Sequence, residues 1–278
     1  MRNGVTPMFG TGPNLGMSPG VWGNCPFSKL RDDIGSGWLH VERWFDKTHS
    51  YASATAANGY LTYQDTGVTI ANAVITETEL NDGDYKGLIG YLQIAGLDAD
   101  CDEGNIQWGS GVSNMFCFDT GLGKAWFETC MRFQSITECS YFVGLADQAA
   151  AAADFMADTS HGIASDEDVI GFRTLIADTD GLDAIYQTAS ATQAVVDEES
   201  AVIVASSTTG WYRLALSFDG DSTMYWYVDG VCVGSVDVET TGFPDGVGMA
   251  PFWATKSDTS STTEHKVDIA WWAGAQLF

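Results

Sequence analysis

Carboxylates set on alternate residues of a loop can converge on one hard cation. Asp98, Asp100 and Asp102, followed by Glu103 and Gly104, have that spacing and offer the oxygen donors that calcium takes. The pattern is not an EF-hand: the glycine comes one place late, and position 109 is glycine where a closing glutamate would stand. A solvated turn accounts for the same residues. Asp219 and Asp221 flank Gly220 and are explained by turn formation alone. His161 stands near Asp158 and Asp166, yet no second histidine lies at ligand spacing, so a solvated loop is expected there. His40, His49 and His265 are equally isolated.

Other searches for chemistry return nothing. The sequence has no G-x-S-x-G elbow, no H-E-x-x-H, no P-loop and no G-x-G-x-x-G opening a helix, so a non-enzymatic role is expected. Ten Trp and ten Tyr would suit stacking against sugar rings. Trp126, Trp211, Trp226 and Trp271 fall inside strand patterns, where aromatic side chains fill cores. Trp108, near a glycine-rich turn, and Trp253, in MAPFWATKSD, are the two candidates for carbohydrate contact.

The elements that would position these residues are strands. From Trp211 to Val238, Tyr212, Leu214, Leu216 and Phe218 alternate with Trp211, Arg213, Ala215 and Ser217, and Met224, Trp226 and Val228 alternate with Thr223, Tyr225 and Tyr227. Asp219-Gly220-Asp221 and Asp229-Gly230 supply the turns of a three-stranded meander. Lys124–Phe133 is a further strand, with Ala125, Phe127, Met131 and Phe133 toward the core and Lys124, Glu128 and Arg132 on the opposite face. Strands are also expected at 60–63, 68–75, 88–95, 105–108, 115–118, 169–175, 182–187 and 201–205, while at 38–45 helix and strand readings compete and only the family resemblance given below favours a strand. Between Asp147 and Asp168 the five alanines 149–153 favour a short helix, with Phe155 and Met156 able to pin it to the sandwich edge. Residues 1–35 hold four of the six prolines amid glycines, so neither helix nor ladder propagates, and an extended arm is expected. Its apolar residues Met8, Phe9, Leu15, Met17, Val21, Trp22 and Phe27 are anchors, either for a neighbouring subunit or for the arm's own domain.

Composition narrows the partners. A formal net charge of −25 with 12 Lys plus Arg repels phosphate backbones and anionic lipids, so neither nucleic acid nor membrane is an expected partner. No signal-peptide core, membrane-length apolar run or N-x-[ST] sequon occurs, which points to synthesis in a cytoplasm. Six widely spaced cysteines read as free thiols.

The stretch WYRLALSFDGDSTMYWYVDGVCVG, with VDIAWW at 267–272, resembles the closing strands of the concanavalin A-like lectin/glucanase jelly roll, the superfamily that includes laminin G-like domains. Upstream, KAWFETCMRF, YFVGLAD, DVIGF and LDAIYQ stand in the order seen in jelly-roll structural proteins of tailed, often marine, bacteriophages. The resemblance covers roughly residues 36–278. It implies an all-β antiparallel jelly-roll sandwich over 36–278 with an N-terminal arm over 1–35, and it adds calcium as a cofactor candidate at Asp98, Asp100 and Asp102. Glucanases of the superfamily carry E-x-D-x-E on a concave face, which this sequence lacks, so Glu128 is expected as a surface or salt-bridge residue. The leading expectation is a virion structural protein, a capsid decoration or cement subunit made in the host cytoplasm. Its partners would be the major capsid protein and copies of itself. The alternative is a carbohydrate-binding, lectin-like module, with a glycan-cleaving enzyme ranked below both.

Overall fold

The computed structural model describes residues 16–33, 35–43, 50–51, 59–74, 90–96, 101–109, 114–133, 139–158, 160–176, 181–197, 210–258 and 265–278. Two short helices, α1 (Pro19–Trp22) and α2 (Phe27–Asp32), precede the strands. In chain order these are β1 (Gly37–Arg43), β2 (Ser50–Tyr51), β3 (Tyr60–Gln64), β4 (Thr69–Val74), β5 (Gly90–Gly96), β6 (Glu103–Trp108), β7 (Phe116–Cys117), β8 (Ala125–Phe133) and β9 (Cys139–Ala146). They continue with β10 (Val169–Thr174), β11 (Asp183–Gln187), β12 (Ala194–Asp197), β13 (Trp211–Phe218), β14 (Thr223–Val228), β15 (Val231–Asp237), β16 (Gly248–Ser257) and β17 (His265–Leu277). The strand expected at 201–205 lies outside the described residues.

The strands form two antiparallel sheets, as expected of a jelly-roll sandwich. The nine-stranded sheet runs β15-β14-β13-β8-β17-β5-β4-β2, with β1 also on β17; the eight-stranded sheet runs β12-β11-β10-β9-β16-β6-β3, with β7 on β16. The 13-residue β17 organises the first sheet. It pairs with β8 along one side, and along the other with β5 at 265–269 and β1 at 271–277.

Alternation decides which side chains meet between the sheets. Phe127, Met131 and Phe133 from β8, Leu214, Leu216 and Phe218 from β13 and Trp226 from β14 face Tyr141, Val143, Leu145, Phe172 and Trp253 of the other sheet, all within one buried cluster. Two indole N–H groups cross the gap: Trp226 donates to the Gly171 carbonyl at 3.0 Å and Trp272 to the Tyr60 hydroxyl at 2.9 Å. Each outer face carries a further apolar layer, so β8 and β9 are buried at every residue. Such strands read as nearly continuous apolar runs.

On the eight-stranded sheet the cover is the insertion after β9. The expected helix is a single 3-10 turn, Ala150–Ala152, and the anchoring residues are the expected ones. Phe155 packs at a tilt against Phe142 and Phe252, with ring centroids 5.2 and 4.4 Å away, and Met156 is buried beside it. Beneath it Lys256 Nζ lies 3.2 Å from Glu103, 2.7 Å from Asp158 and 2.7 Å from the Met156 carbonyl it donates to. Glu103 in turn accepts the Phe155 and Met156 N–H groups, so the insertion is clasped by a satisfied buried ion pair.

On the nine-stranded sheet the cover is the chain's own N-terminal segment. Met17, Val21, Trp22, Cys25 and Leu30 pack on Trp126, Cys130, Ala215, Trp271, Ala273 and Ala275. This corrects the extended arm expected from the Pro/Gly composition: the described part is two helical turns folded back on its own sandwich. Ser18-Pro19 followed by Gly23 is a short-helix signature, with proline at the first helical positions and glycine just past the end.

Candidate functional site

Two places bring functional side chains together: the outer face of the nine-stranded sheet around Glu128, and a cleft beside β1. At the first, Glu128 projects outward from the centre of β8, with Ala215 of β13 and Ala273 of β17 as cross-strand neighbours. It is fully buried rather than on the surface, which corrects the sequence expectation. The Ser18 N–H donates to both carboxylate oxygens at 2.9 and 3.2 Å, the Ser18 hydroxyl adds a bond, and the Trp22 indole N–H donates at 2.7 Å. Burial pushes the Glu128 pKa up, while the Ser18 and Trp22 donors and the nearby Arg213 charge pull against it. Trp22 stacks between Phe27 and Trp126 at 5.6 and 6.4 Å, and the Trp126 indole N–H donates to Asn24.

Further along β8 the same face holds Cys130 and Arg132. Arg132 pairs with Asp268 of β17 at 2.9 Å, Gln93 donates to the other Asp268 oxygen at 2.7 Å, and the guanidinium lies over the Tyr91 and Trp211 rings. The alternate positions of β8 therefore read Glu-Cys-Arg. Glu128 and Asp268 stand four residues apart in register, roughly 13 Å along the strand direction, wider than the roughly 5–9.5 Å of a glycosidase carboxylate pair.

The second place is a cleft of about 610 Å³ bounded by Trp38, His40, Met115, Leu122, Gln276 and Phe278, with Asn114 at its wall. Trp38 and His40 project to the same side of β1, opposite Gln276 and Gly274 of β17. Gly274 is required there, since a Cβ would lie 2.9 Å from Phe116 and 3.0 Å from Trp38. Gln276 is fixed by bonds to both backbone groups of Cys117, and Trp38 meets Phe116 edge-on at 4.9 Å. His40 lies between the Trp108 and Trp272 rings at 4.6 and 4.7 Å, with the buried Glu42 carboxylate 3.4 Å from its Nε2. Leu122 and Phe278 stand at the mouth, 38% and 80% exposed.

The residues singled out by sequence are dispersed. Trp108 backs the cleft, half-buried, one ring behind His40. Trp253 is fully buried in the inter-sheet core, so it is not a glycan contact. Met17, Val21, Trp22 and Phe27 lie on the chain's own sheet rather than presenting themselves to a neighbour, while Met8, Phe9 and Leu15 lie outside the described residues. Asp98 and Asp100 also lie outside them. Asp102 is buried, and Glu103 is spent on Lys256; among the described residues no group of three or more His, Cys, Asp or Glu side chains has metal-binding geometry. Asp219 accepts three backbone N–H groups, as its turn role requires. His161 is buried rather than solvated, and burial lowers its pKa. None of the six cysteines is in a disulfide. Sequence reasoning missed the cleft, because Trp38, His40, Asn114 and Gln276 come from distant segments. A lone acid within an apolar strand was the available signal for the partners of Glu128.

The architecture is that of a concanavalin A-like jelly roll, and solved structures share it. A protein of unknown function from Shewanella oneidensis MR-1 superposes with a TM-score of 0.53 at 12% identity, over 91% of this chain and 94% of that one. A Bacillus licheniformis β-glucanase gives a TM-score of 0.48 at 11% identity, over 87% and 99%. A carbohydrate esterase of the Shiga toxin-encoding bacteriophage phi24B gives 0.45 at 12% identity, over 85% and 99%. No protein-family model and no curated protein matches the chain. Similarity at this level carries the fold. The expectation that the chain is not an enzyme is withdrawn: glycoside hydrolases, a transglycosylase and a lyase are among the structures it resembles, and a fold by itself neither assigns nor excludes activity. The virion structural role drawn from the sequence resemblance finds no support in these comparisons.

Proposed function

We propose that the chain is a carbohydrate-recognising jelly-roll module whose glycan sits in the cleft beside Trp38 and His40. The observation that carries this reading is the cleft itself: about 610 Å³ of open space walled by aromatic rings, with amide groups at Asn114 and Gln276. Sites for small ligands commonly fall between about 300 and 1,000 Å³ and pair apolar walls with a few polar groups. A pyranose presents apolar C–H faces and a hydroxyl rim, which matches such a wall. The Cys117 backbone clamps the Gln276 amide, so part of the polar lining is set before a ligand arrives.

The test uses the full chain against a panel of neutral mono- and oligosaccharides, with calorimetric titration and chromatography of the products. Specific binding is expected, and Leu122→Arg, at the exposed mouth, should weaken it at least about tenfold, equivalent to about 1.4 kcal/mol. Trp38→Ala should abolish it. No binding across the panel, or binding indifferent to both substitutions, would remove the cleft as the site. Release of shorter sugars, lost in His40→Ala, would extend the reading from recognition to cleavage.

A further inference from the structure

Lysine side chains ordinarily keep their ammonium in water, yet Lys256 is fully buried beneath the insertion. The register of the sheet puts it there. Lys256 on β16 stands opposite Glu103 on β6, and both point to the outer face that carries Phe252 and Ala254. Met156 pairs with Ile163 and closes a turn that carries Asp158 over the two side chains. Asp158 Oδ1 lies 2.7 Å from Nζ and Glu103 Oε2 lies 3.2 Å from it, so one amine touches two acids. The acids differ in setting. Glu103 is wholly buried and also accepts the Phe155 N–H, the Met156 N–H and the Asn105 amide at 2.6, 3.0 and 2.6 Å. The Asp158 side chain is 67% exposed, open to the solvent into which a small product would leave.

From this geometry we infer that Lys256 and Asp158 join in an intramolecular isopeptide bond, with Glu103 as the catalytic proton carrier. Glu103 takes a proton from Nζ, and the freed amine attacks the Asp158 carboxyl carbon. A carbon–nitrogen bond forms there and a carbon–oxygen bond breaks. Two of the three Nζ protons pass through Glu103 and depart with one Asp158 oxygen as water. An ammonium and a carboxylate thus become an amide and one water, with no oxidant, cofactor or second substrate. Burial lowers the Lys256 pKa and the two acids more than restore it, so the amine starts charged. Burial pushes the Glu103 pKa up to about 7, where a carboxyl can both take a proton and return it. Groups held in contact react with effective molarities of about 10⁵–10⁸ M, which offsets the unfavourable loss of water. The step also removes a buried cation, while the N–H groups of Phe155, Met156 and Asn105 stay on Glu103. Its product ties the insertion covalently to a central strand of the eight-stranded sheet.

Peptide mapping of the full chain reads the bond directly. The tryptic peptides carrying Asp158 and Lys256 should appear joined, one water lighter than their sum, with no cleavage after Lys256. Asp158→Ala, at an exposed side chain, should separate the two peptides and reopen the tryptic site. Asp158→Asn should restore the joint at the cost of one ammonia in place of one water. Glu103→Gln should slow formation of the joint at least about tenfold; should it not fold, the two Asp158 variants decide. Separate peptides from the unsubstituted chain, cut after Lys256, overturn the proposal, and so does a joint from Lys256 to Asn105. Glu103, Asp158 and Lys256 line no part of the cleft, so neither result bears on glycan binding.

Discussion

Asp147 and Glu167 face each other where the insertion leaves and rejoins the eight-stranded sheet, and their side chains share a hydrogen bond. Burial pushes the Glu167 pKa up to about 8, and Asp147 together with Asp166 and Asp168 adds to the shift. Folded Glu167 thus holds its proton more tightly than the unfolded chain does, so its contribution to stability is complete below the ordinary carboxylate range and is lost as pH rises to about 8. Thermal melts between about pH 4.5 and 8.5 should show the melting temperature of Glu167→Gln falling less than that of the unsubstituted chain, because glutamine keeps a donor toward Asp147 without titrating. Equal slopes would show that the pair does not share a proton.

Strands β9 and β10 meet at Gly144 and Gly171, directly opposite each other. A Cβ on Gly171 would lie 2.3 Å from the Val143 carbonyl and 2.9 Å from the Gly144 Cα, against backbone that has no rotamer to change. Trp226 also bonds the Gly171 carbonyl, so a shift there travels to the other sheet. Gly171→Ala is expected to cost about 1–3 kcal/mol, as overpacking does, and urea unfolding would register it; a loss below about 0.5 kcal/mol would mean the strands part freely. Other features of the elements were open to sequence reading. The 211–238 meander alternates because its strands are covered mainly on one side, and β14 shows that alternation residue by residue. Strand β12 and the central β16 were not expected; β16 carries Pro251 and is buried at nine of its ten positions, so a period of two leaves little trace.

Stacked from one side to the other, the molecule is four layers: N-terminal segment, nine-stranded sheet, eight-stranded sheet and insertion. The interior ion pairs Arg132–Asp268 and Lys256–Glu103 balance in charge, so the excess of −25 acts as mutual repulsion among the remaining acids. Raising ionic strength from about 0.01 to 1 M shortens the screening length from about 30 to 3 Å. The melting temperature should rise with sodium chloride over that range, and a flat or falling curve would contradict net repulsion.

The sequence by itself determined most of the sheet-forming segments, because alternation and turn residues are local properties of the chain, while the jelly-roll class followed from the family resemblance of its closing strands. It also marked the alanine run and residues 155–156 as a cover for the sandwich edge. Only the tertiary structure decided that Glu128 is buried under Ser18 and Trp22, that Trp253 belongs to the core, and that Trp38, His40 and Gln276 share a cleft. Those facts rest on contacts between residues up to more than two hundred positions apart, whose distances are set by how strands pair rather than by anything written nearby.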